Sequence, residues 1–399
     1  MIGRPEREKV LRSKPETLWE GEPRLGSAYG EEEIEAAVAA MRESRDVGRG
    51  FSGPEIAAFE EAFAAYAGTR HAVALNSCGP GLDLAMRMLE LQPGDEVIVP
   101  ALNFVASPLA VAGAGGQVVW GEVDPATLQL DPNDVERRIT PRTRAIFPVH
   151  MNGLAAPMDD FLELARRHPH EKHGPPAVIG DAARACGGEY RGAKLGGQGL
   201  LTVFSFHTMK NMVTLGEGGM VTTNDDDAAR FIRSSRFFGF DDMERWGSSF
   251  VMTNVQAAVG LVQLRKLDGF IAARRRLARD RTEMLAELPE LTLPCEPPDR
   301  LHTYYLYTCL VCREWAGEKR DRLMRMMDGR FGVRLLVANR PAYEAHHYLR
   351  RHTAGQSLPL SEELGARLFC IPTHPAMSDE DNRYIAAAII ECVETLRGE

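Results

Sequence analysis

A chain of 399 residues, 44% of them hydrophobic, is long enough to bury a large core and to form one large and one smaller domain. Its formal net charge of −9, with no basic stretch interleaved with aromatics, speaks against nucleic acid, and its seven cysteines, an odd number, do not read as a disulfide framework. No apolar run reaches the length of a membrane span and residues 1–20 lack the apolar core of a signal peptide, so no membrane partner and a cytoplasmic location are expected.

An arm read as loose covers residues 1–29, and helical segments are expected near 31–44 and 54–67. Strands and helices then alternate as far as about Phe240, which predicts an α/β fold. The runs read as strands are 72–76, 96–100, 118–123, 145–150, 177–180, 201–206 and 219–223. From 255 to 288 the positions Val255, Val259, Val262, Leu267, Ile271 and Leu277 recur at helical spacing, predicting a long connecting helix, and a smaller α/β domain is expected from Tyr304 onward. The expected division is an arm over 1–29, a large domain over 30–260, and the connecting helix with the small domain over 261–399.

Three clusters carry bland readings. Cys309 and Cys312 fall in a strand-like run and would face opposite sides of a sheet, whereas a zinc site normally needs two such pairs. His168, His170 and His173 surround Pro169 and precede Gly174-Pro175-Pro176, as in a solvated loop, so no metal is expected. Arg274-Arg275-Arg276 reads as the wet face of the long helix.

The chemistry is concentrated in Ser205-Phe206-His207-Thr208-Met209-Lys210-Asn211, followed by Gly216-Glu217-Gly218-Gly219 and preceded by Asp181-Ala182-Ala183-Arg184. One apolar run delivers Ser205 and Lys210 to its carboxyl end and another delivers Asp181, at the edge where open α/β sheets hold ligands. Taken singly, such a lysine is a solvated loop residue and such an aspartate a turn or a cap. Together they supply an amine for an aldehyde and a carboxylate for a pyridinium nitrogen, which is what pyridoxal 5′-phosphate needs. Asn76-Ser77-Cys78-Gly79-Pro80-Gly81 turns a strand into a helix, either as a plain connection or as amides for a phosphate.

Further stretches follow one family's order: Gly53-Pro54-Glu55, Phe59-Glu60-Glu61-Ala62-Phe63-Ala64, Gly94-Asp95-Glu96-Val97-Ile98-Val99-Pro100, Val123-Asp124-Pro125, Ile139-Thr140-Pro141-Arg142-Thr143, Pro148-Val149-His150 and Gln256-Ala257-Ala258-Val259-Gly260. Over nearly its whole length the chain resembles the DegT/DnrJ/StrS-type aminotransferases of fold type I, which aminate keto-sugars on nucleotides and keto-cyclitols. The resemblance implies a large domain with a seven-stranded, mostly parallel sheet and a smaller C-terminal α/β domain. It also implies pyridoxal 5′-phosphate as cofactor, and a homodimer whose sites are shared between chains. The reaction implied is amino transfer from glutamate or glutamine to a keto-sugar or keto-cyclitol, in sugar or antibiotic biosynthesis. By position, Lys210 would be the Schiff-base lysine and proton carrier, Asp181 the partner of the ring nitrogen, and Phe104 the stacking ring. Ser205, with amides around Cys78 and Gly79, would hold the phosphate.

The chain also departs from that pattern. Gly79 stands where the family usually has Thr, Arg184 where it has Gln or His, and Ser249 where it has an Asn that reaches the partner's cofactor phosphate. Val251 replaces a nearby Arg, and Ala338-Asn339-Arg340-Pro341 replaces His-Tyr-x-Pro. These changes either retune a working enzyme, with Arg184 beside the cofactor's phenolic oxygen or a substrate carboxylate, or mark decay of the site; retention of Lys210 and Asp181 favours the first. A different reaction class on the same fold, elimination or carbon–nitrogen bond formation, would use the same pair. An amino-hydroxybenzoate synthase shares the forms at 149–151 and 216–219 and ranks below transamination. Lys210 speaks against the dehydratase relatives, which carry histidine there, and residues 1–50 leave no room for the DNA-binding domain of a sensor.

Overall fold

The computed structural model describes residues 2–15, 19–46, 48, 53–241 and 243–398; Met1 and residues 16–18 of the expected arm lie outside the described residues. Seven strands form the main sheet: β1 (His71–Leu75), β2 (Glu96–Pro100), β3 (Gln117–Gly121), β4 (Thr143–Ile146), β5 (Ala177–Asp181), β6 (Leu201–Ser205) and β7 (Gly219–Thr223). Their order is β1-β7-β6-β5-β4-β2-β3, and only β7 runs antiparallel to its neighbours. The expected strand 145–150 leaves the ladder after Ile146. Pro148 has no N–H to donate, although its carbonyl still accepts from Asp181 N at 2.9 Å.

Both faces of the sheet are covered, which is why its strands are almost continuously apolar. Alternate residues serve opposite faces. Ala74, Ile98, Ile146, Val178, Phe204 and Met220 meet the helices Pro54–Ala67 and Met158–Arg167 and the first half of Asn254–Leu285. Leu75, Val97, Val99, Ala145, Val203 and Val221 meet the helices Cys78–Met88 and Ala106–Gly113.

A second core surrounds three antiparallel strands, β8 (Leu291–Thr292), β9 (Tyr307–Val311) and β10 (Leu368–Ile371), in that order, beneath the helices Glu318–Phe331 and Asp379–Arg397. The long helix Asn254–Leu285 starts at a Thr253 capping box. It gives Ala257 to Ile271 to the first core and Leu277 to Leu285 to the second.

Two expectations are corrected. The arginine run is not a wet face, because Arg274 is wholly buried and donates to the carbonyls of Tyr304 (3.3 Å), Tyr305 (3.4 Å), Thr373 (2.7 Å) and Gly26 (2.6 Å). Arg275 and Arg276 are half-buried, paired with Glu296 and Asp379 respectively. Nor is the arm loose in its described parts. The helix Arg4–Arg12 packs on Asp379–Arg397 with Arg7 buried against Glu391 (3.2 Å) and Glu394. Residues 19–29 thread between the cores because buried donors claim their carbonyls. His374 Nε2 faces Leu25 O at 2.9 Å and Ser27 O at 3.1 Å, while its Nδ1 accepts from Ala376 N, a pattern that puts the proton on Nε2.

Cys309 is buried in β9 and Cys312 falls one residue past its end; all seven cysteines are free thiols. His170 and Gly174 close a small bridge, with the His170 and His173 rings 4.8 Å apart. Among the described residues no helix is long and apolar enough to cross a membrane.

Candidate active site

The carboxyl edge of the parallel strands gathers Asp181, Arg184, Ser205, Lys210 and Cys78. Asp181 ends β5 and is buried; its Oδ2 accepts from Ser107 Oγ at 2.5 Å and its Oδ1 from Ala183 N at 3.0 Å. Two donors fix the orientation of this side chain, and Ser107, near the start of the helix that follows Phe104, is a partner the sequence reading missed. Beside it lies His150, whose backbone N donates to Asp181 O at 2.9 Å. Burial, aided by Arg300, pushes this imidazole down to about 3, so it is neutral, with Nδ1 accepting from Ala156 N at 3.0 Å.

The phosphate-like turn is built by strand register. Leu75, Gly219 and Ser205 share one row across β1, β7 and β6. A Cβ on Gly219 would lie 2.6 Å from Ser77 O and 2.8 Å from Cys78 N, so glycine lets the start of the helix Cys78–Met88 pass directly over β7 towards Ser205. Ser77 occupies the N-cap position without capping, its hydroxyl donating instead to Glu217 Oε2 at 3.1 Å. Amides at an uncapped helix start favour an anion. Ser205 is buried, and its Oγ accepts from His207 N at 3.3 Å.

Lys210 follows β6 in a turn closed by its own N–H to His207 O at 2.8 Å. Its Nζ donates to the Tyr305 hydroxyl at 3.0 Å and lies 4.7 Å from the centre of that ring. Among the described residues it makes no ion pair. Burial first, then the Arg184 guanidinium, pushes the amine down to about 8, against the opposing pull of Glu22, Cys78 and Asp181. The Cys78 thiol is pushed up by burial and by Asp181 and eased by Lys210, so these three groups lie within one another's fields.

Arg184 is buried, donating to Asn339 Oδ1 and to Met151 Sδ at 3.7 Å, with its guanidinium 5.9 Å from the Tyr305 ring centre. Asn339 in turn donates to Asn152 Oδ1 at 2.8 Å. The segment that departs from the family thus meets Arg184 itself. Phe104, in the loop after β2, is 60% exposed. Gly79 opens the helix with nothing within 4 Å of where a Cβ would point. Ser249 stands apart from this group, exposed, in a segment bridged to Phe237 and running beside Asn76, whose N–H donates to Phe250 O at 2.8 Å. Tyr305 and Glu22 also went unnoticed in the sequence: Tyr305 sits in an aromatic run that reads as strand, and Glu22 in an arm that reads as loose.

An unpaired amine with a lowered pKa, a carboxylate fixed by two donors and an uncapped helix start beside a serine suit an aldehyde, a ring nitrogen and a phosphate respectively. Comparison with known proteins points to the same cofactor. The model of the DegT/DnrJ/EryC1/StrS aminotransferase family matches residues 30–390. GDP-perosamine synthase of Caulobacter vibrioides is 39% identical over 341 residues, covering 83% of this chain and 88% of that protein. The dTDP-3-amino-3,4,6-trideoxy-alpha-D-glucose transaminase of Streptomyces venezuelae is 36% identical over 375 residues, covering 93% and 95%. The crystal structure of S. venezuelae DesV with a ketimine intermediate superposes with a TM-score of 0.83 at 36% identity, over 91% of this chain and 96% of that one. The chain belongs to the DegT/DnrJ/EryC1/StrS aminotransferase family, and its cofactor is pyridoxal 5′-phosphate.

Proposed function

We propose that the protein transfers an amino group from glutamate or glutamine to a keto-sugar or keto-cyclitol, with Lys210 and Asp181 as its catalytic residues. The observation that carries this reading is the buried Lys210 amine, lowered to about 8 and free of any ion pair among the described residues, in the field of Asp181. When bound, the cofactor supplies an electron sink and carries the amino group between the two substrates. Nζ of Lys210 would hold the cofactor, and the freed amine would take and return the proton at the substrate carbon. Asp181, fixed by Ser107 and Ala183, keeps the ring nitrogen protonated. Ser205 and the amides of Cys78 and Gly79 would hold the phosphate, Phe104 would stack on the ring, and Arg184 would meet the phenolic oxygen or a substrate carboxylate.

A homodimer with shared sites belongs to the same reading. Phe238, Phe240, Met243 and Trp246 are exposed on the segment that leads to Ser249, as an interface with a second copy requires, and Ser249 would then serve the partner's phosphate. The test is the near-ultraviolet and visible spectrum of the purified protein before and after glutamate or glutamine, beside Lys210→Ala. A cofactor band that changes with donor only when Lys210 is intact supports the reading. A band that never changes points to another donor or reaction class.

A further inference from the structure

We propose that Glu22 is a positioning residue for the Lys210 amine, acting through the Tyr305 hydroxyl from the strap formed by residues 19–29. The proposal rests on the reading of Lys210 as the lysine that holds the cofactor.

The Tyr305 hydroxyl has one proton and donates it to the Glu22 carboxylate. Its oxygen is left as an acceptor, and Lys210 Nζ donates to it at 3.0 Å. A carboxylate only accepts, so Glu22 fixes the direction of both hydrogen bonds. A glutamine in its place could turn an N–H to the same oxygen and release the hydroxyl proton towards Nζ. The strap is held where this matters. Gly26 N donates to Thr208 O at 2.8 Å and Thr208 Oγ1 to Arg24 O at 3.1 Å, two residues before the lysine. A Cβ on Gly26 would overlap the Met209 and Lys210 carbonyls. The buried Arg274 guanidinium bonds both Gly26 O and Tyr305 O, clamping the strap and the tyrosine to one group.

The charged and titratable groups around Nζ come from separate elements: Asp181 from the end of β5, Arg184 from the turn after it, Cys78 from the helix start, Tyr305 from the approach to β9 and Glu22 from the strap. Of these, the strap carboxylate alone reaches Nζ through an oriented hydroxyl. Its effect is to keep the amine aimed while a proton is carried.

The test uses the cofactor-loaded protein and the variants Glu22→Gln, Glu22→Asp, Tyr305→Phe and Glu22→Gln/Tyr305→Phe, reading the donor half-reaction and the pH titration of the cofactor band. Glu22→Gln is expected to slow the half-reaction about tenfold, the worth of one hydrogen bond to a charged group, with KM unchanged and the band's pH midpoint displaced. Glu22→Asp should recover part of the rate, and Glu22→Gln should add nothing once Tyr305 is Phe. An unaltered rate and midpoint in Glu22→Gln, or additive losses in the double variant, overturn the proposal. Gly26→Ala serves as the strap control: if Glu22→Gln merely lowers the urea midpoint as Gly26→Ala does, with the pH titration unmoved, the contact is structural and the proposal falls. Lys210→Ala separates the two layers. A band that still converts with donor at the native rate in Lys210→Ala removes the lysine reading and this proposal with it, whereas conversion lost there beside a silent Glu22→Gln removes this proposal alone.

Discussion

The carboxyl edge of the sheet and the seam along the strap meet at Lys210, but they are built differently. At the edge, Asp181 and Ser205 end two paired strands, and much of their support is local: Ala183 N on Asp181, His207 N on Ser205, Lys210 N on His207 O. At the seam, Glu22, Gly26, Arg274, Tyr305 and Thr373 come from remote segments, and their contacts close only when both cores have formed. In the proposed reading the edge supplies the reactive groups and the seam supplies aim and field.

That division can be broken by experiment. Lys210→Ala should slow the donor half-reaction by about 10³-fold or more, read by stopped-flow absorbance, with the urea midpoint not lowered. Asp181→Asn should cost about 10²-fold in the same assay with the cofactor still bound. At the seam the order reverses. Arg274→Met leaves four carbonyls without their shared donor and should lower unfolding stability by about 3 kcal/mol in a urea titration, offset in part because burial already holds that guanidinium down at about 9. If Arg274→Met left stability intact, or Lys210→Ala lowered it as much, edge and seam would not be separate in kind.

The same contrast decides what could be read from sequence. Asp181, Ser205 and Lys210 were legible because apolar runs mark strands, and residues at or just past the carboxyl end of a strand in an α/β chain lie at the ligand edge. The seven strands were found for the same reason, and their ends slipped where Phe147-Pro148-Val149 stays apolar while Pro148 has no N–H to donate. Ser107, Tyr305 and Glu22 were not legible, and Asn339 was marked only as a departure from the family pattern, not as the partner of Arg184. Each is polar or amphipathic in an unremarkable local context and acquires its partner from a distant segment. Arg274 misled more directly, since three consecutive arginines look solvated until four backbone carbonyls converge on the first of them.

Arg184 belongs to both regions: it follows the edge aspartate, yet its guanidinium is held by Asn339 from the far segment. Its charge helps to lower the Lys210 amine to about 8 from the ordinary 10.5. In the cofactor-free protein the folded chain therefore binds fewer protons than the unfolded chain between about 8 and 10.5. Stability rises with pH through that window, and below about 8 the full cost of the buried charge is present. Arg184→Gln removes one cause of the depression, so the amine's pKa moves upward and the window narrows from its lower side. The measurement is cofactor capture against pH, expected to be half-maximal near 8 in the native protein and at a higher pH in the variant. An unmoved midpoint would mean that burial alone sets the amine. Arg184 would then act on substrate instead, and its loss would appear as a raised KM for the true acceptor with little change in cofactor binding.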